Sequence, residues 1–462
     1  MRARDVLSSF LFVLLAAGLA RPAAAPGATL RVAPAPGALA EAIARAAPGD
    51  TLVLLAGIHR GPVALDRRLT VRGEPGAVLD GAGSGTVLDI RADGCRIESL
   101  EIRRTGARVL TADSGVRIRE SDGVRLAGLI LRDVLYGIYA ERCGGLSIES
   151  CVLTGRAEPG AETADGNGIH LWYCENPTVR NCSVRRFADA VYLSFVNGAT
   201  VEGSRFEWNA RYGFHTMYCQ KNRLAGNRFA HNLAGCAIMF SNHLDVTGND
   251  FIHNQGPRTY GLLLRDCSDG VFTGNRLVDN TIAAFLDGSN RNQIERNLIQ
   301  DNGWGILLFS SSEGNEFAGN AFLNNDYPVA LDMRYTENRF DDGRSGNYWS
   351  ENAAYDLDGN GIADVPYSPV SAFAFLSKQY PDLAVLAKSP AVAALSVAER
   401  VIPALRPSEA VDRYPLLHAA IHAPAGPIRE ASEAKGSPAW AALFSGLALV
   451  GALGLAAGRR MG

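Results

Sequence analysis

Along the middle of the chain, apolar and polar positions alternate in short runs, and the runs repeat. Overlaying them places Ile169/Leu171, Val191/Leu193, Phe214/Thr216, Cys236/Ile238, Leu262/Leu264 and Ala284/Leu286 in two shared columns. Successive strand side chains point to opposite faces, so these columns line the core and the residues between them face outward. The outward pairs are His170/Trp172, Tyr192/Ser194, His215/Met217, Ala237/Met239, Leu263/Arg265 and Phe285/Asp287. A turn, usually Gly-Asn or a small polar pair, ends each unit at Cys151, Cys182, Ser204, Asn227, Asn249, Asn275, Asn297 and Asn320, most of them 22 or 23 residues apart. A period of this size marks a solenoid, because one coil cannot bury its own apolar face and must stack on the next. The expected fold is all-β, a single-stranded right-handed parallel β-helix over about residues 28–347.

The ends depart from the repeat. Residues 1–25 carry Arg2 and Arg4, an apolar run from Phe10 to Leu19 and small residues at Ala20 and Ala23 to Ala25, the pattern of a secretory signal peptide. Gly37 to Ala47 reads as a short helix capping the first coil, ended by Pro48-Gly49-Asp50. Strands are expected at Thr51 to Leu55, Val63 to Leu65 and Leu69 to Arg72, and the coils from Gly83 to Gly128 read as looser in register than those after Gly137. An insertion, Gly155 to Asn167, lengthens one coil just before His170 and brings Glu158, Glu162 and Asp165, either as part of a binding face or as a solvated loop. Residues 348–368 form an Asp/Asn-rich capping loop. Composition then shifts, and residues 369–438 read as a helical partner-docking region, with Ser389-Pro390 opening a helix whose Val392, Leu395, Ala398, Val401 and Ile402 make one apolar stripe. The uncharged stretch 439–458, followed by Arg459-Arg460, has the length of a membrane span and would leave the solenoid outside the cytoplasm.

Composition narrows the classes. The formal net charge of −3, without a basic run or a basic-aromatic stripe, leaves no electrostatic footprint for nucleic acid. The sequence holds no GxxxxGK[ST], so ATP hydrolysis would belong to another subunit. Eight cysteines fall in a compartment that permits disulfides. Cys143 stacks on Cys174 and Cys151 on Cys182, as a thiol ladder or as bonds, and no CxxC zinc pattern occurs.

Two constellations carry candidate chemistry. His215 and Met217 share one face of one strand, about 7 Å apart at ~3.3 Å per residue, and Met239 follows Met217 by one ~4.8 Å step along the stack. Thioether and imidazole suit copper(I), a soft ion selected by soft ligands. Of the five methionines, Met1 and Met461 lie at the termini, so two of the remaining three meet here. His170, two coils away, becomes a fourth ligand only if a loop or partner closes the gap. Trp172 and Tyr192 beside them are candidates for partner contact. Asp356, Asp358, Asn360 and Asp364, with a carbonyl at the seventh position, begin a calcium loop, but Tyr367 stands where the bidentate Glu should be. An Asx-rich turn reads equally well there.

Gly168-Ile-His170-Leu-Trp-Tyr, Ala190-Val-Tyr192-Leu, Tyr212-Gly-Phe-His215-Thr-Met217-Tyr, Ala237-Ile-Met239-Phe-Ser, Tyr260-Gly-Leu-Leu-Leu, Tyr380-Pro-Asp-Leu and Lys388-Ser-Pro390 resemble the NosD family over roughly residues 30–420. The resemblance implies a periplasmic accessory protein for maturation of nitrous oxide reductase. It implies partners in an ABC transporter permease and ATPase, a copper chaperone and the reductase itself; the membrane contact of the C-terminal segment 439–458 is not part of what it implies. Two other classes stay open: a docking scaffold without its own metal site, and a polysaccharide lyase or C5-epimerase on the same solenoid. The epimerases continue the Tyr-Gly-Phe strand with Asp-Pro-His, whereas here it runs His215-Thr216-Met217, with no carboxylate at that point for proton transfer.

Overall fold

The computed structural model describes residues 27–158, 164–386, 389–402 and 408–419. The signal-peptide and membrane-span expectations lie outside these residues, as does Glu162 of the insertion.

Three parallel sheets of 13, 12 and 13 strands run the length of the described solenoid, and each strand pairs with its counterparts in the neighbouring coils. The long strands of the twelve-stranded sheet align as the period predicts: Val191 pairs with Phe214, Phe214 with Cys236 and Cys236 with Leu262. The predicted inward columns are buried almost without exception and form one continuous core with the inward residues of the other sheets. Aromatic members stack from coil to coil, as Phe206, Phe229 and Phe251 do at 5.3 and 5.1 Å between ring centroids.

The turn column that reveals the period is itself internal. Ser204 N–H donates to Asn227 Oδ1, Asn227 to Asn249, Asn249 to Asn275, Asn275 to Asn297 and Asn297 to Asn320, at 2.8–3.0 Å. Each buried Asn thereby satisfies turn amides that a tight corner would orphan. The cysteines serve turn carbonyls instead of amides. All eight are free and buried, and Cys143, Cys151, Cys174 and Cys182 each donate a thiol to the carbonyl two residues before. Of the two open readings, the thiol ladder is the one found.

Helix Ala38–Arg45 covers the first coil with Leu39, Ala42 and Ile43. One short strand, Gly57–Arg60, was not expected from the sequence; its Ile58 is exposed and only His59 is buried, so it lacks the apolar alternation that marks a strand. The coils between Gly83 and Gly128 hold register in two sheets, with Ile97 opposite Leu126 and Ile102 opposite Leu131; their looseness is confined to the loop before Ser114. Helix Ala372–Gln379 packs Phe373 on Tyr327 at the far end of the twelve-stranded sheet, and Glu399 of helix Pro390–Val401 accepts the Ala372 N–H. Val392, Leu395 and Ala398 are half-buried, while Val397 and Ile402 are exposed. Residues 408–417 return as a strap to the last coil, where Leu416 bridges Tyr348 and Arg413 grips Asp341 through both carboxylate oxygens. No helix among the described residues is long and apolar enough to cross a membrane.

Candidate functional site

The outward face of the twelve-stranded sheet carries three columns set by strand register. The central one reads Tyr139, His170, Tyr192, His215, Ala237, Leu263 and Phe285. Beside it run Trp172, Ser194, Met217, Met239 and Arg265, and on the other side Asn167, Asp189, Tyr212, Ala234 and Tyr260.

Met217 and Met239 are direct register partners, and His215 lies two residues before Met217 on the same face. All three are half-buried. Tyr192 Oη donates to Met217 Sδ at 3.6 Å. His170 is two coils from His215, and the gap is filled: the Tyr192 ring stands between them, 4.8 Å from one imidazole and 4.7 Å from the other. Expectation and structure part at the far end of the face. Ala237, Leu263 and Phe285 point outward but are not exposed to solvent, because they pack with Ile282, Tyr212, Met239, Tyr260 and Trp304 into a second apolar cluster. The width of these side chains lets one coil shield the next.

The sequence reasoning also missed a carboxylate. Asp189, fully buried, accepts hydrogen bonds from Nε and Nη2 of Arg211 at 3.0 and 2.9 Å, and its Oδ2 lies 3.1 Å from His215 Nδ1. The signal was available, since Asp189 opens the strand one coil before His215, in the column that continues with Tyr212. His215 Nε2 is buried and has no hydrogen-bond partner among the described residues. Asp189 N–H bonds Asn167 Oδ1 at 3.3 Å, and Asn167 Nδ2 lies 3.1 Å from His170 Nδ1. Burial pulls the His170 imidazole down to about 4, against the opposing charge of Asp189, so it is neutral at ordinary pH.

An imidazole held at Nδ1 by a carboxylate, with its other nitrogen unbonded, on a strand face shared with two thioethers, can take a soft or borderline metal ion. No group of three His, Cys, Asp or Glu converges among the described residues, so a metal here has to draw on the methionines. The cysteines on and next to these coils face the core, and burial pushes the Cys219 thiol up to about 11 and Cys267 to about 12, so neither offers a thiolate to this face.

Trp172 lies under the Arg142 guanidinium at 5.5 Å and against the ring of Tyr173. Tyr173 begins a ladder that the sequence reading did not find. Tyr173, Phe195, Tyr218 and Phe240 each follow the last residue of a long strand and stack at 4.7, 5.1 and 5.0 Å with nearly parallel rings. All four sit at positive φ, 51–58°, where bulky L side chains are disfavoured, and the first three are exposed. Other coils place Glu120, Arg142 and Asp266 at the same turn with the same backbone, so what sets this stretch apart is its exposed rings, which border Met217 and Met239.

The Asp356–Asp364 loop is turned onto itself. Asp356 accepts the N–H groups of Gly359, Asn360 and Gly361, Asp358 that of Asn360, Asn360 that of Ile362, and Asp364 that of Leu357. Two of them, Asp358 with Asn360 and Asn360 with Ile362, are Asx-turn contacts, and the others cross the loop.

The family described as periplasmic copper-binding protein (NosD) matches residues 156–354, the span holding both histidines and both methionines. A protein of Pseudomonas aeruginosa named a probable ABC transporter binding protein NosD is 31% identical over 401 residues, covering 81% of this chain and 92% of its own. One of the same name from Stutzerimonas stutzeri is 29% identical, covering 79% of this chain and 86% of its own. Among solved structures, the surface adhesin PfbA of Streptococcus pneumoniae aligns with 71% of this chain and 91% of its own, at 11% identity and a TM-score of 0.46, too loose a likeness to carry an argument.

Proposed function

The chain belongs to the NosD family, and from that premise we propose that it is a periplasmic accessory protein that receives copper(I) and hands it on during copper-cluster assembly of nitrous oxide reductase. One observation carries the reading: Met217 and Met239 are register partners on an outward face that also carries His215, whose Nε2 is buried and has no hydrogen-bond partner among the described residues. Two thioethers and one imidazole make a low-coordinate set, which suits an ion that must leave again. Trp172, Tyr192 and the ring ladder from Tyr173 to Phe240 border that set and form the proposed contact for the copper donor and for the reductase. In this reading the helices after Pro369 engage an ABC transporter, whose ATPase supplies the energy. The segment 439–458 tethers the protein to the inner membrane. The Asp356–Asp364 loop acts as an Asx-rich cap, with calcium affinity of ~10⁻⁴ M or weaker for want of a twelfth-position carboxylate.

Copper(I) competition against a chelator, with wild type, Met217→Leu, Met239→Leu and His215→Ala, tests this reading. Met-to-Leu keeps volume and costs under ~1.5 kcal/mol of stability, so a loss of affinity reports the sulfur. Each variant is expected to bind at least about tenfold more weakly, one ligand's worth of about 1.4 kcal/mol or more, and to yield a reductase with less copper. The packing of Met239 into the Ala237–Leu263–Phe285 cluster favours a second reading, a docking scaffold without a metal. Unchanged affinity together with unchanged loading would leave that one standing.

A further inference from the structure

His215 and His170 occupy the same column two coils apart, and each has its Nδ1 engaged by a buried group at the start of a long strand. The two engaging groups have opposite hydrogen-bonding character. Asp189 is an acceptor on every edge: Arg211 donates to both of its oxygens, and the Oδ2 that also meets His215 Nδ1 at 3.1 Å can bond that nitrogen only if the nitrogen carries the proton. Asn167 faces His170 with its amide nitrogen at 3.1 Å. Its orientation is set by the backbone, because Asn167 Oδ1 accepts the Asp189 N–H at 3.3 Å and so must point away from the ring. An amide N–H₂ only donates, so His170 Nδ1 is an acceptor and the proton of the neutral ring sits on Nε2.

We infer that Asp189 and Asn167 hold the two imidazoles in opposite neutral tautomers, so that His215 presents an Nε2 lone pair to copper while His170 presents an N–H and does not. The inference rests on the copper reading and deepens it: of the two histidines in the column it assigns one as ligand, and it makes Asp189 a positioning residue that acts through His215. The orphaned His215 Nε2 fits this assignment, since a buried nitrogen with a lone pair and no donor nearby lacks only an electrophile. Arg211 aims the Asp189 carboxylate, and the Tyr192 ring keeps the two imidazoles apart.

Long-range ¹H–¹⁵N correlation of the histidine rings in the copper-free full-length protein tests the tautomers directly. At pH 8 an ordinary imidazole, of pKa ~6.5, is neutral. His215 is expected with its proton on Nδ1 and His170 with its proton on Nε2; the reverse arrangement, or the same tautomer in both, overturns the inference without any variant. Asp189→Asn is expected to move His215 toward the Nε2–H form and to weaken copper(I) binding ~10–100-fold, the usual effect of losing a partner behind a metal-bound histidine. Asn167→Asp should convert only His170. If Asp189→Asn changes neither tautomer nor affinity while His215→Ala abolishes binding, the inference falls and the copper reading stands. If His215→Ala leaves affinity unchanged, the copper reading falls, and the wild-type tautomers alone decide the inference.

Discussion

The Tyr192 hydroxyl reaches across one coil and donates to Met217 Sδ at 3.6 Å. In the proposed copper site, the hydroxyl and copper(I) compete for the thioether's electron density. A hydrogen bond of this kind is worth about 0.5–1 kcal/mol. Tyr192→Phe is therefore expected to tighten copper(I) binding about two- to fivefold and to slow transfer to an acceptor, measured by chelator competition and stopped-flow exchange. Weaker binding would mean that the hydroxyl supports the bound ion instead.

Tyr218 stacks between Phe195 and Phe240 at φ 58°. Asn accepts that backbone conformation more readily, which offsets the ~0.5–1.5 kcal/mol lost with ring stacking. Tyr218→Asn should leave the melting temperature within a few degrees of wild type. If the ladder is a docking edge, binding to copper-free reductase on a sensor surface should weaken about tenfold, or ~1.4 kcal/mol; unchanged binding would remove the ladder from the interface.

Asn275 accepts the backbone and amide N–H groups of Asn249 and donates to Val246 and Asn297. Leu has the same branching but is somewhat larger, and it leaves all four groups unmatched in the core. Asn275→Leu is expected to lower stability by about 2–4 kcal/mol, read from the urea midpoint, because orphaned buried groups keep their desolvation cost. A loss below ~1 kcal/mol would show that water enters the ladder.

Asp412 anchors the strap by accepting the N–H of Asn347, the Trp349 ring N–H and the N–H of Tyr414. Burial raises its carboxyl to about 6, with Asp341 adding to the shift and those three donors opposing it. A raised acid favours its protonated form in the folded state, so this contribution is complete below ~4 and is lost as pH rises through about 6. Hydrogen exchange at Leu416 and Gly346, whose amides tie the strap to Asn347 and Tyr414, should report an opening free energy about 1–2 kcal/mol larger at pH 5 than at pH 7.5. Asp412→Asn should flatten that difference; a slope of opposite sign in wild type would show that the three donors outweigh burial.

Much of this molecule follows from the period alone. In a parallel solenoid the coil length sets the register, and the register sets which side chains are neighbours along the stack. The inward columns, the Asn ladder and the pairing of Met217 with Met239 were therefore legible before any coordinates, as was the Ser389 cap, whose side chain accepts the Val392 N–H. Only the tertiary structure decided contacts that run diagonally across coils or depend on side-chain reach. Asp189 meets His215 because it opens the strand one coil earlier and lies diagonal to the imidazole, outside the columns that contain the ligands. Tyr192 fills the gap to His170 because its ring is as thick as the space between coils. Phe285 and Leu263 are buried though they face outward, since bulky neighbours close over them. The strap's hold on Asp341 joins residues 72 positions apart. No periodicity encodes that pairing, because the strap lies outside the repeat and finds the last coil through charge and shape.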